Sequence, residues 1–118
     1  MTLRFFLAFA AAASSAMPAG AHAFLQHANP GAGATFQVAH APQRVVLTFS
    51  ERLDPGLSGA TITDSSGGNM AAAPVTIAGK SMLAPLRPLG PGAYRVLWHA
   101  VSLDKHRTEG SYSFKVLP

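Results

Sequence analysis

The sequence contains no cysteine, and this absence excludes several structures and chemistries. Without thiols the chain forms no disulfide, holds no metal ion through thiolate ligands and has no cysteine nucleophile. Acidic residues are also few, with five Asp and Glu against nine Lys and Arg, so the formal net charge is +4. The cations are scattered and do not alternate with aromatic residues, so we do not expect a nucleic-acid partner.

Long apolar runs are absent as well. The apolar run Phe5–Ala13 is too short for a membrane-spanning helix, which needs roughly 20 apolar residues. It follows Arg4 and precedes small residues that end in Ala19-Gly20-Ala21, an order typical of a secretory signal peptide. We therefore predict a signal peptide at residues 1–21 and a soluble mature domain at residues 22–118.

Helical periodicity of useful length is missing from the mature chain, and alternation with a period of two takes its place. In "RVVLTF" the apolar residues Val45, Leu47 and Phe49 alternate with Arg44, Val46 and Thr48, which is typical of a half-buried strand. Similar short runs are "GATIT", "PVTIA", "SMLAPL", "AYRVLWHAV" and "SYSFKVL", separated by the turn-forming stretches "LDPGLSG", "DSSGGN" and "LGPGA". The pattern predicts an all-β fold, a small Greek-key β-sandwich or barrel.

Asp104 and His106 lie in the stretch "WHAVSLDKHRTEGSYSF", where the strand that begins near Ala93 should continue or turn. Residues two apart point to the same face of a strand, so this carboxylate and imidazole could converge on one ion if the strand continues. The D-x-H spacing alone is weak evidence, because a surface Asp–His hydrogen bond is the commoner arrangement.

His22 strengthens the case for a metal site, because cleavage after Ala21 would make it the first residue of the secreted chain. A free N-terminal histidine has an α-amine and an imidazole that together close a chelate ring on one ion. With the His106 imidazole and the Asp104 carboxylate, it forms a three-nitrogen, one-oxygen set of the tetragonal type that favours Cu(II). The overlapping Ala21-His22-Ala23 also fits the small-x-small cleavage rule, and cleavage after Ala23 would discard His22.

Three stretches resemble the CopC family of bacterial periplasmic copper-binding proteins: "HAFLQHANPGAGA", "VVLTFSERL" and "YRVLWHAVSLDKHRTEGSYSFKV". The last carries the family pattern W-x-x-x-S-x-D-x-H-x-x-x-G-x-Y-x-F at Trp98, Ser102, Asp104, His106, Gly110, Tyr112 and Phe114. The resemblance covers nearly the whole mature chain. It implies a cupredoxin- or immunoglobulin-like β-sandwich in the periplasm, with one Cu(II) per chain bound by His22, Asp104 and His106.

The resemblance also implies a role in copper homeostasis or resistance, by sequestration or by delivery to a partner. Such a partner would be a membrane copper transporter of the CopD type or a multicopper oxidase, and we expect a monomer. Some members of the family have a second kind of site, in which a Met-rich loop binds Cu(I). Only Met70 and Met82 follow residue 21, without the clustered thioethers that Cu(I) prefers, so we do not expect that second site.

Parts of this pattern are also compatible with functions other than copper transport or storage. An N-terminal histidine clamp on a β-sandwich is also similar to copper oxygenases that cleave polysaccharides. Such an enzyme needs an open coordination position and a broad substrate surface, and here a carboxylate would fill a basal position on a small domain with short loops. Blue-copper electron transfer needs a cysteine ligand. A secreted interaction module without a metal is the remaining alternative. Because the site and the domain size do not suit a copper oxygenase, we predict that the protein is not an enzyme.

The remaining conspicuous residues have simpler interpretations. The segment "QHANPG" around His27 is interpreted as a loop, and His40 as a solvent-facing loop residue. Trp98 is a better core candidate than its neighbour His99, because successive strand residues face opposite sides. Glu109 and Gly110 are interpreted as a bulge or turn that redirects the strand after His106. Further core candidates are Leu47, Phe49, Tyr112 and Phe114.

Overall fold

Residues 22–118, which a computed structural model describes, form two four-stranded β-sheets around one apolar core. The strands are β1 (Leu25–Asn29), β2 (Thr35–Gln37), β3 (Arg44–Phe49), β4 (Gly59–Thr63), β5 (Thr76–Ala78), β6 (Ser81–Pro85), β7 (Gly92–Val101) and β8 (Arg107–Leu117). One sheet has the order β1-β3-β6-β5 and the other β2-β8-β7-β4. The predicted all-β sandwich is therefore confirmed.

The strand pairings are antiparallel except for β2, which runs parallel to β8. The long hairpin of β7 and β8 pairs from Gly92 with Val116 to Val101 with Arg107, so residues 102–106 connect the two strands at one end of the sandwich. A short 3-10 turn at Val38–His40 follows β2. Within residues 22–118 no helix is long and apolar enough to cross a membrane.

The core lies between the sheets and draws on the inward face of each strand. In β3 the burial follows the alternation seen in the sequence, because Val45, Leu47 and Phe49 are all buried while Arg44 is exposed. Phe114 on β8 stacks on Tyr94 of β7 with ring centroids 5.5 Å apart. The largest fully buried side chains are Phe49, Phe114, Leu47, Ile62, Met82, Val45, Val96 and Pro30. Burial of this apolar set is the main source of stability, at about 25 cal/mol per Å² removed from water.

Two strands have no clear signal in the sequence. The interpretation of "QHANPG" as a loop was wrong, since His27 lies in β1 and pairs with Thr48 of β3. Both β1 and β2 are edge strands of their sheets, and their side chains are exposed or only half-buried. An edge strand with little burial lacks the strict apolar alternation by which a strand is recognised, so its composition resembles that of a loop.

Gly110 does not form a bulge, which corrects the sequence interpretation. It pairs in regular register with Trp98, inside the uninterrupted ladder between β7 and β8. The indole ring of Trp98 lies over the glycine, and a Cβ placed there would be 2.6 Å from its Cζ2 atom. The same ring packs edge-on against Phe49, with centroids 5.2 Å apart. Glycine is therefore needed because it makes room for the indole.

Substitution of Gly110 by alanine should lower the free energy of unfolding by about 2–3 kcal/mol, the usual cost of forcing extra volume into a packed site. Either the indole shifts away from Phe49 or the β7–β8 ladder deforms. Urea unfolding followed by Trp98 fluorescence measures the change. Gly90→Ala is the matched control, because a Cβ there has no heavy atom within 4 Å. Equal stability of the two variants would contradict the steric account.

Candidate metal-binding site

The connection between β7 and β8 is a tight turn organised by Ser102, a polar residue that is only 2% exposed. The backbone N–H of Ser102 donates to the His106 carbonyl at 3.0 Å, and its hydroxyl accepts from the His106 N–H at 3.3 Å. The Lys105 N–H donates to the Ser102 carbonyl at 2.9 Å, and Lys105 has a positive φ of 68°. The turn that carries Asp104 and His106 therefore closes on one buried serine.

Asp104 and His106 consequently do not lie on one face of a continuing strand. The strand β7 ends at Val101 and β8 begins at Arg107, so both residues belong to the connection between them, and both are exposed. The expected same-face geometry of residues two apart is wrong here, because that rule requires extended backbone on both sides. Their relative position is set by the turn.

A second loop supports the turn from outside. Asp54 forms an ion pair with Lys105, and its backbone N–H donates to the Val101 carbonyl at 2.8 Å. The hydrogen bond from Lys105 holds the pKa of the Asp54 carboxyl below its ordinary value. Because the pKa is lowered in the folded state, the contribution of this pair to stability is present at neutral pH and is lost as the pH falls through the lowered pKa.

The start of the described chain is fastened to the same end of the sandwich. Ser50, directly after β3, accepts a hydrogen bond from the Phe24 N–H at 2.8 Å and donates one to the His22 carbonyl at 3.2 Å. From the other sheet, the hydroxyl of Thr108 donates to the carbonyl of Ala23, whose side chain is completely buried. Residues 22–24 are thus held by both sheets.

This fastening brings the rings of His22 and His106 together, although 84 positions separate them in the sequence. Their centroids are 4.8 Å apart and the ring planes are tilted by 38°. An imidazole nitrogen binds a divalent ion at about 2.0 Å, which puts two rings on one ion about 4.5 Å apart at right angles and about 6.3 Å apart when opposite. The observed separation lies inside this range.

The imidazole of His22 has one nitrogen without a polar partner in residues 22–118. Its Nε2 atom is buried and has no hydrogen-bond partner among the described residues. A buried polar atom without a partner carries a cost of about 1–3 kcal/mol. Rotation of this ring toward an incoming ion breaks no hydrogen bond at Nε2. The ring also contacts the exposed Phe24, with centroids 5.8 Å apart.

The third predicted ligand, Asp104, is not gathered with the two histidines. Within residues 22–118 there is no group of three or more His, Cys, Asp or Glu side chains close enough together to hold a metal ion. Asp104 is exposed on the same five-residue connection as His106. The structure therefore brings two of the three predicted residues into ring contact and leaves the carboxylate outside that contact.

The other histidines and the methionines lie elsewhere. His40 is exposed in the turn Val38–His40, as the sequence indicated. His99 is half-buried on β7, with its ring above Gly59. Met82 is 1% exposed in the core, and Met70 packs against that core. Neither thioether is arranged in a cluster at the surface.

A cleft of about 810 Å³ lies away from the two histidines, along β4, β7 and β8. Leu97, Trp98 and His99 line it from β7, and the ion pair of Arg107 and Glu109 lines it from β8. Glu109 pairs with Arg107 at 3.2 Å, and no hydrogen bond joins it to an imidazole among the described contacts. None of His22, Asp104 and His106 lines this cleft, so it is separate from the candidate site.

Sequence reasoning missed Ser50 and Thr108 as parts of this site. Ser50 lies in "TFSER" and Thr108 in "HRTEG", and neither of these two hydroxyl residues belongs to a ligand or capping pattern. Their hydrogen bonds reach 28 and 85 positions back along the chain. The available signals were that Ser50 directly follows a predicted strand and that Thr108 is two residues after the candidate ligand His106.

Comparisons with known proteins agree with this architecture. A family model described as the CopC domain matches residues 25–117. Protein YobA of Escherichia coli K12 is 40% identical over 98% of this chain and 94% of its own length. Copper resistance protein C of Xanthomonas campestris pathovar juglandis is 37% identical over 90% of this chain and 88% of its own length.

Two solved structures are similar in fold. CopC from Methylosinus trichosporium OB3b superposes with a TM-score of 0.73 at 29% identity, covering 82% of this chain and 95% of that one. PcoC, a methionine-rich copper resistance protein from Escherichia coli, superposes with a TM-score of 0.68 at 40% identity, covering 81% of this chain and 99% of that one. On the match that spans nearly all of the described residues, this chain belongs to the CopC family.

Proposed function

We propose that the protein is a periplasmic Cu(II) carrier that binds one ion per chain. The observation that carries the proposal is the contact between the His22 and His106 rings at one end of a CopC-family sandwich. The ligands would be the α-amine and imidazole of His22, the imidazole of His106 and the carboxylate of Asp104. Imidazole and amine nitrogens with one carboxylate oxygen suit Cu(II) in a tetragonal arrangement.

The role proposed for Asp104 involves movement. Its carboxylate lies outside the contact of the two rings, on a turn with one residue in the left-handed region. A divalent ion held by two neutral imidazoles and an amine keeps its full positive charge, which attracts a nearby carboxylate. Asp104 would therefore join the ion after the histidines have bound it, and its contribution to affinity would be smaller than that of His106.

Burial near the chain start supports cleavage after Ala21 in preference to cleavage after Ala23. The Ala23 side chain is completely buried, and its carbonyl accepts a hydrogen bond from Thr108. Cleavage after Ala23 would remove both and would leave a cavity at the end of the core. Cleavage after Ala21 would keep this anchor and leave His22 with a free amine, as the clamp requires.

Copper would be sequestered or passed to a partner in resistance or homeostasis. The ligands lie at an exposed end of the molecule, where His106 and Asp104 are open to solvent. An exposed site suits exchange of an ion with another protein, such as a membrane transporter of the CopD type or a multicopper oxidase. The buried or half-buried state of Met70 and Met82 favours a single Cu(II) site without a thioether site for Cu(I).

The test is a titration of the secreted protein with Cu(II), after mass spectrometry has established that the chain begins at His22. We expect one equivalent to bind and to give an axial electron paramagnetic resonance signal with splitting from nitrogen ligands. A chain that binds no copper above the level of an unrelated protein with the same number of exposed histidines would refute the proposal. Added reductant and oxygen should leave a model polysaccharide intact, whereas its oxidation would indicate an oxygenase.

A further inference from the structure

We infer that Ser50 and Thr108 are positioning residues, which fix the backbone of residues 22–24 so that the N-terminal histidine faces His106. The inference rests on the proposed copper function and deepens it, because it assigns part of the affinity to two hydroxyl groups outside the ligand set. Chain ends are usually poorly ordered unless specific contacts hold them. The ligand at the chain end therefore needs a separate device to keep it in place.

Ser50 makes three hydrogen bonds to the residues on either side of Ala23. Its hydroxyl accepts from the Phe24 N–H at 2.8 Å and donates to the His22 carbonyl at 3.2 Å. Its own N–H donates to the Phe24 carbonyl at 2.8 Å. A hydroxyl is one of few side-chain groups that donate and accept at the same atom, so alanine at this position would lose both side-chain bonds together.

Thr108 acts from the opposite sheet and on the residue in between. Its hydroxyl donates to the Ala23 carbonyl, and the buried Ala23 methyl group keeps that residue in the core. Thr108 is two positions after His106 at the start of β8, and Ala23 is directly after His22. One hydrogen bond therefore joins the two short segments that carry the proposed imidazole ligands.

This arrangement sets the fraction of molecules whose chain end is ready to bind. When only part of a population has the binding conformation, the apparent dissociation constant equals the intrinsic one divided by that fraction. Removing a hydroxyl lowers the fraction without removing a ligand. The expected loss is about five- to tenfold in affinity for each hydroxyl, with Ser50→Ala at the upper end because it loses two hydrogen bonds and Thr108→Val loses one.

The experiment measures Cu(II) affinity by competition with a chelator, using chains that begin at His22. Ser50→Ala and Thr108→Val should each bind about five- to tenfold more weakly than the parent, and Thr108→Ser should restore the parent affinity because it keeps the hydroxyl. Tyr112→Phe is the matched control. It removes a hydroxyl that donates to the Pro30 carbonyl at 2.8 Å, four positions further along β8, and should leave the affinity unchanged.

Two further readings separate positioning from a general loss of stability. Hydrogen exchange of the Phe24 amide should be faster in Ser50→Ala without copper, because that amide donates to the missing hydroxyl. In a chain whose His22 α-amine is acetylated, Ser50→Ala should cost less affinity than in the chain with a free amine, since effects that share a target are not additive.

The outcomes also separate this inference from the copper proposal. If the parent binds copper and His106→Ala does not, but Ser50→Ala and Thr108→Val bind like the parent, the positioning role is wrong and the copper site stands. An equal loss for Ser50→Ala and Tyr112→Phe would likewise overturn the positioning role. If the parent and His106→Ala bind equally weakly, the copper site itself is wrong.

Discussion

Replacement of His106 by alanine should lower the affinity for Cu(II) by at least about a hundredfold. Loss of a group that merely orients a ligand commonly costs about 10- to 100-fold in metal affinity, and loss of the ligand itself should cost no less. The His106 side chain is exposed, and the turn around it is closed by backbone and Ser102 contacts that do not need the imidazole. Urea unfolding of the variant and the parent checks that the variant is folded when its affinity is measured.

His40→Ala is the matched control for this prediction. His40 is exposed like His106, but it follows β2, which pairs with the far end of β8 near Leu117. Its loss should leave the affinity and the nitrogen splitting in the spin-resonance signal unchanged, whereas His106→Ala should remove splitting from one nitrogen. If both variants bind like the parent, the ring contact with His22 is only packing.

Asp104→Ala should have a smaller effect, of roughly tenfold, or about 1.4 kcal/mol. Its carboxylate is not gathered with the two rings and must move to reach the ion, so part of its interaction energy is offset by the ordering of the turn. An Asp104→Ala loss as large as that of His106→Ala would indicate that the carboxylate is in place before the ion arrives. Cu(II) titrations of His106→Ala and Asp104→Ala, run alongside the parent, measure the difference between the two losses of affinity.

The fold could be predicted from the sequence wherever strands are buried on one face. The residues "RVVLTF" correspond to β3 without a shift, because burial of alternate residues leaves a strict apolar pattern, and "GATIT" corresponds to β4, in which Ile62 is buried. The edge strands β1 and β2 leave no such pattern. The bulge predicted at Gly110 is wrong, since the role of this glycine depends on the Trp98 ring across the ladder, which no local pattern reveals.

The site could be predicted only in part. His22 and His106 were identified from a chain-end argument and a family pattern, and the structure places their rings 4.8 Å apart. The predicted same-face arrangement of Asp104 and His106 is wrong, because side-chain alternation along a strand does not hold for residues of a turn. Ser50 and Thr108 depend on contacts between the two sheets and the chain start, so they become visible only after folding brings those segments together.

Acetylation of the His22 α-amine should reduce the Cu(II) affinity by about a hundredfold or more. The acetyl group turns the amine into an amide and, unlike an added amino acid, brings no new α-amine beside the imidazole, so the chelate ring is lost. Two binding groups on one residue gain about 10²–10⁴ in affinity over either one alone, because the second bond forms within the same molecule. The acetylated and free forms of the same chain test this and leave the Ala23 anchor in place.

The dependence on pH distinguishes the loss of the amine from a steric effect of the acetyl group. An α-amine has an ordinary pKa of about 7.7–8.0, so below that range it must release a proton before it can bind an ion. The affinity of the chain with a free His22 amine should therefore fall more steeply with acid, by about one further power of ten per pH unit, than that of the acetylated chain. An added residue after Pro118, beyond the far end of β8, should change neither the affinity nor the slope. Equal slopes for the two N-terminal forms would mean that the amine does not bind copper and that His22 contributes its ring alone.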